Sequence, residues 1–145
     1  MAAGSFALYN TAKKFFFDGT FDWDTGTYYL HLLDAAYTPA VTHDTWADVS
    51  ANESSETGYA AQAIGTKAVN GGTATATANV DAGNVSYGTN VTIGAQYAVV
   101  RAGTATPAGT NKLVGYVSLD TAGSVSSTNG TFEVQWNANG LFTIA

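Results

Sequence analysis

From Thr131 to Trp136 polar and apolar residues alternate. An extended chain therefore puts Phe132, Val134 and Trp136 on one face and Thr131, Glu133 and Gln135 on the other. Asn137, Ala138, Asn139 and Gly140 follow, a run that tolerates positive φ, and the apolar residues 141–144 return as the second arm of a predicted hairpin. This reading expects the last residues to be a paired strand and Trp136 to lie in the core. Residues 28–33 are apolar on both alternating faces except at His31, the pattern of a strand covered on both sides. Further short runs at 73–80, 84–87, 91–93, 96–101 and 113–119 are each bounded by Gly, Asn or Pro, which suggests a sandwich or barrel. The Ala/Thr alternation of 73–78 predicts a thinly packed edge strand, open to pairing with a neighbouring subunit.

A helical pattern occurs once, over residues 5–17, where Leu8, Ala12, Phe15 and Phe16 recur at helical spacing behind Ser5 as a cap. Asp18-Gly19-Thr20 ends it. The polar run 42–57, which contains Trp46, reads as a long excursion. The expected fold is mainly β: a single-domain antiparallel β-sandwich over 1–145, jelly-roll or immunoglobulin-like, with a short N-terminal helix. Residues 1–20 form an N-terminal arm in this scheme, and 37–59 a long loop dispensable for the core.

Composition narrows the function. With 145 residues and 46% hydrophobic content, one domain with a two-layer core is expected. Charged residues are only 11%, well under the roughly 25% of an average domain. The surface must then be covered by Thr, Ser, Asn and Gly or be buried against partners, which favours an assembled state. Net charge is −6, and the basic residues are scattered apart from Lys13-Lys14, so the clustered positive footprint that phosphate backbones need is missing. Nucleic acid is not an expected partner. Cys is absent, which removes disulfides and thiolate metal sites from consideration. The N-terminal residues lack a continuous apolar core of the kind a signal peptide needs. No run of about 18 apolar residues suggests a membrane helix, so a membrane is not an expected partner.

Candidate chemistry is sparse. Asp18, Asp22 and Asp24 make the loop before Gly26 the best calcium candidate, yet the EF-hand frame fails from Asp18 and from Asp22 alike. The alternative is a turn in which the carboxylates accept local backbone N–H bonds. His31, inside an apolar strand, reads as a hydrogen-bonded core histidine. His43-Asp44 offers a base–orienter pair without a nucleophile. Glu53 and Glu56 sit in a polar stretch and read as solvated loop carboxylates rather than a glycosidase pair. No cofactor and no catalytic residues are expected, and the chain does not read as an enzyme. The aromatic residues Tyr37, Trp46, Tyr59 and Tyr87 near turns, with Phe6 and Tyr9 in the N-terminal arm, are the candidates for an intersubunit anchor or a sugar-stacking platform.

Several landmarks in a fixed order carry a resemblance. They are Leu8-Tyr9-Asn10 with Lys13-Lys14, the segment from Asp18 to Thr25, Tyr37-Thr38-Pro39, the segment from His43 to Glu53, Gly58-Tyr59, Tyr97-Ala98-Val99-Val100, Leu113-Val114-Gly115-Tyr116-Val117, and Ser127-Thr128-Asn129-Gly130. Together they resemble a family of small β-rich structural proteins of tailed-phage virions. The resemblance implies a decoration or cement protein bound to the major capsid protein or other virion proteins. It also implies a homo-oligomer, with a trimer favoured, located on the capsid surface after assembly in the host cytoplasm. The alternative is a tail or head-fibre component that recognises a host glycan through Trp46, Tyr59 and Tyr87.

Overall fold

The computed structural model describes residues 3–71 and 78–144. The chain is mainly β and sandwich-like, and among the described residues there is one α-helix and every strand pair is antiparallel. In chain order the elements are β1 (Ala7–Leu8), α1 (Asn10–Phe17), β2 (Tyr28–Leu33), β3 (Gln62–Ala63), β4 (Ala68–Asn70), β5 (Ala78–Asp81), β6 (Val85–Ala95), β7 (Tyr97–Ala102), β8 (Leu113–Ser118), β9 (Val125–Val134) and β10 (Phe142–Ile144). They form a five-stranded sheet β1-β8-β7-β2-β3, a three-stranded sheet β10-β5-β4 and a two-stranded ribbon β6-β9. One core cluster draws on residues from Tyr9 to Leu141.

β2 behaves as its composition dictates. Five of its six residues are buried, Tyr29 being the exception, and it pairs along its whole length with β7. The ribbon is locked to it by Tyr87, whose hydroxyl donates to the Leu30 carbonyl at 2.9 Å. Trp23, beside the acidic turn, packs 4.7 Å from the Tyr28 ring and donates its indole N–H to the Asp81 carbonyl at 2.7 Å.

The N-terminal helix is shorter than its pattern suggests. It starts at Asn10, after a Tyr9 in extended conformation (ψ 152°) and without a side-chain cap. Ala7 and Leu8 pair instead with Tyr116 and Gly115 of β8. Gly115 makes this possible, since a Cβ there would lie 2.4 Å from the Phe6 ring and 2.6 Å from the Ala7 carbonyl oxygen. The N-terminal arm is thus stitched to the main sheet by backbone bonds that a longer helix would forfeit.

The C-terminal hairpin does not form. The turn is present: Gly140 has φ 86° and its N–H donates to the Asn137 carbonyl at 2.8 Å. Its two arms diverge, however, with β9 pairing to β6 and β10 to β5. Trp136 lies beyond the end of β9 and is half-buried, with its indole N–H on the Gly83 carbonyl at 3.0 Å. It is a peripheral ring and not the core residue expected; Phe132 and Val134 are the buried members of that face.

Three further readings change. The runs 84–87 and 91–93 belong to one strand, β6, whose register shifts around Gly88 and Val91 are bulges where a turn was expected. Most of the Ala/Thr run lies outside the described residues, but Ala78–Asp81 is the middle strand of its sheet and not an edge. The long excursion is also part of the core. It carries two single 3-10 turns, Trp46–Asp48 and Ser50–Asn52, the first closed by a Thr45/Asp48 capping box, and it buries Trp46 and Val49.

Candidate functional site

The acidic turn uses its carboxylates locally. Asp18 accepts the Thr20 N–H at 3.0 Å and the Thr20 hydroxyl at 2.6 Å, and pairs with Lys14. The Lys14 ammonium, followed by Thr20, holds the Asp18 carboxyl down to about 2. Asp22 accepts the Thr25 N–H at 3.2 Å, and Asp24 is exposed. Among the described residues no three His, Asp or Glu side chains converge as a metal site. Nor do His43 and Asp44 form a pair, because His43 bonds the Tyr37 hydroxyl at 3.1 Å while Asp44 accepts from Lys112 at 2.5 Å.

Four of the six aromatic candidates are interior. Tyr9, Tyr37, Trp46 and Tyr87 are all buried. Tyr9 and Tyr37 share a hydroxyl hydrogen bond of 2.9 Å. Tyr59 is half-buried and stacks on Tyr87 with ring centres 5.8 Å apart. Their ring faces are occupied inside the domain. An aromatic residue that the sequence reading passed over, Phe17, is instead 83% exposed at the end of α1. Helical spacing carried the signal, since Phe17 falls on the face of Lys13 and Lys14 and away from Ala12.

Phe6 is the candidate that reaches a surface feature. It borders a groove of about 1080 Å³ lined also by Val117, Phe132, Trp136 and Phe142. The Phe6 ring stacks on Phe142 at 5.9 Å and meets Trp136 edge-on at 6.4 Å. The walls come from β9, β10, the end of β8 and the segment 3–6 leading into β1. Among the described residues β9 and β10 each have a strand neighbour on one side only. A strand paired on one side presents a row of free N–H and C=O groups on the other. Glu133 is the one charged residue in the described lining. The groove suits an extended, uncharged segment of chain rather than an ionic ligand.

Glu53 is not a solvated loop carboxylate. It lies against β2, where its Oε1 is 2.6 Å from His31 Nδ1 and accepts the Tyr59 hydroxyl at 2.7 Å. Arg101 of β7 is fully buried on the other side of the same ring, donating from Nε to His31 Nε2 at 3.0 Å. The expectation of a hydrogen-bonded core histidine at position 31 therefore describes this geometry, although neither partner was foreseen. The two lie 22 and 70 positions away in sequence, and no local pattern connects them.

Compared with protein-family models, with curated proteins and with solved structures, the chain finds no match.

Proposed function

We propose that this chain is a structural subunit of a tailed-phage virion, a decoration or cement protein that binds the major capsid protein lattice and stabilises the head. The observation that supports the reading best is the groove bordered by β9, β10 and the segment leading into β1, with its single charged lining residue among the described residues. Free strand edges are usually blunted by charge or covered in a soluble monomer. Here strands with one unpaired side border a roomy groove of mixed polar and apolar lining, in a chain of 11% charged residues. A cement subunit needs such a surface, because it works by adding many modest contacts whose total is large over a repeated lattice. The order of the sequence landmarks points the same way. A closed cyclic oligomer, a trimer in the first instance, fits the local symmetry axes of a capsid. A glycan platform of Trp46, Tyr59 and Tyr87 draws no such support, because Trp46 and Tyr87 are buried and offer a sugar no ring face.

Copy counting in a virion reconstruction tests the proposal. Copies spread over the whole head lattice, with density from a neighbouring chain in the groove, are the expected result. Density confined to the tail or to one vertex would overturn it in favour of a tail or fibre role.

A further inference from the structure

His31 sits in the middle of β2 with no exposed surface, and both its ring nitrogens are engaged. A guanidinium Nε always carries its hydrogen, so the Arg101 contact requires His31 Nε2 to be an acceptor. The ring is therefore neutral, with its proton on Nδ1 and directed at Glu53. A neutral imidazole thus bridges a carboxylate and a guanidinium inside the sheet.

The same cluster holds two excursions. Glu53 and Trp46 come from residues 46–53, and the Trp46 ring lies 4.1 Å from the His31 ring. On the other side, Arg101 donates to the Thr104 carbonyl and to Asn111 Oδ1, both at 2.8 Å. Asn111 Oδ1 also accepts the Ala108 N–H at 2.7 Å, so residues 104–111 are tied to the guanidinium, and to the other excursion through the Trp46 and Ala47 N–H groups, which donate to the Asn111 and Gly109 carbonyls. The charged groups facing His31 are Glu53 from the excursion and Arg101 from β7. The other titratable groups near the cluster are the phenols of Tyr59, which bonds Glu53, of Tyr29, whose ring lies 5.6 Å from the guanidinium, and of Tyr87, which bonds the Leu30 carbonyl.

We propose that this cluster is an acid-operated latch: a proton taken from solvent onto His31 Nε2 breaks the imidazole–guanidinium bond and releases residues 46–53 and 104–111 from the five-stranded sheet. Protonation would turn an acceptor into a donor facing another donor, and would set two cations side by side with the one carboxylate on the far side of the imidazolium. Burial holds the His31 pKa below its ordinary value, the Arg101 charge adds to this and Glu53 opposes it. Closed and protonated are thus competing states, and opening becomes progressively more favourable as pH falls below the ordinary imidazole value.

His31→Gln tests the latch, since an amide can accept from Arg101 and donate to Glu53 without titrating. Backbone amide exchange is followed from about pH 7.5 to about pH 5, across the ordinary imidazole range. In the unmodified protein, protection of residues 46–53 and 104–111 is expected to fall by about tenfold or more, after correction for intrinsic rates. Strands β7 and β8 should stay protected, and Trp46 fluorescence should change along the same curve as its ring leaves His31. The variant should show a flat profile. Equal loss of protection in His31→Gln, or none in the unmodified protein, would overturn the proposal. Should the variant not fold, the imidazole ¹⁵N shifts of the unmodified chain decide. A ring protonated on Nδ1 that titrates together with loop opening supports the latch. An Nε2–H tautomer, or titration without a change in exchange, rejects it.

Discussion

Arg101 concentrates more structure than any other charged residue described here, because its donors satisfy His31, the Ala102 and Thr104 carbonyls and Asn111 at one buried point. Its guanidinium also lies 5.6 Å from the Tyr29 ring and 5.9 Å from the Trp46 ring. Replacing it with Met would keep much of the volume but leave those acceptors without donors and Glu53 without its nearby cation. Breaking one side of a buried charged network costs about 3–5 kcal/mol. Trp136→Ala should cost less than the ~3–5 kcal/mol of a core Trp, on the order of 1–2 kcal/mol, because its ring is half-buried at the rim of the groove. Urea unfolding of the two variants should rank Arg101→Met as the more damaging. The reverse order would mean that Trp136 is a core residue after all.

At the scale of elements, the attachment of β1 hangs on a missing side chain. Gly115 lets the Phe6 ring and the Ala7 carbonyl approach β8 more closely than any Cβ permits. Gly115→Val should therefore displace the N-terminal arm while β7 and β8, paired to each other, stay in place. Amide exchange gives the readout. The Tyr9 N–H, which donates to the Val114 carbonyl at 3.1 Å, should lose protection, and the amides between β7 and β8 should keep theirs. Unchanged protection at Tyr9 would show that the arm is held by packing alone. Phe6 would move with the arm, so the same substitution should also open one wall of the groove.

For the molecule as a whole, the ionisable groups define a stability plateau. Burial lowers the His31 pKa from its ordinary 6.5. Burial pushes Glu53 up, but hydrogen bonds from His31 and Tyr59 outweigh it and leave that carboxyl below 4.5. On acidification the unfolded chain therefore takes up protons that the folded chain refuses. Stability is complete above the unfolded histidine pKa of 6.5 and is lost progressively below it, with Glu53 adding to the loss below 4.5. The tyrosines limit the other side. Burial raises Tyr28 to about 12 and pushes Tyr9, Tyr59 and Tyr87 further up. Unfolded phenols ionise near 10.0 while these stay neutral, so stability falls again as pH rises through that value. Melting temperatures across pH should trace a plateau between those limits, and a protein as stable at about pH 5 as at about pH 7.5 would contradict the assignment of His31.

The sequence by itself determined what a local period can determine. Apolar residues on both faces of 28–33 require cover on both sides wherever that strand lies, and alternation at 131–134 turns Phe132 and Val134 inward whatever the partner. Asp18 and the Asn137–Gly140 run specify turns through bonds that span two or three residues. The neighbours of each strand were decided only by tertiary structure, because a period of two says that a segment is extended and nothing about what lies beside it. Thus β9 and β10, adjacent in sequence and joined by a real turn, enter different sheets, and residues that favour a helix at 7–8 become a strand once β8 offers Gly115. Burial follows the same logic. Trp46 and Glu53 sit in a polar run that looks solvated, and Trp46 becomes buried and Glu53 half-buried because His31 and Arg101 arrive from β2 and β7 with a ring and a charge to meet them.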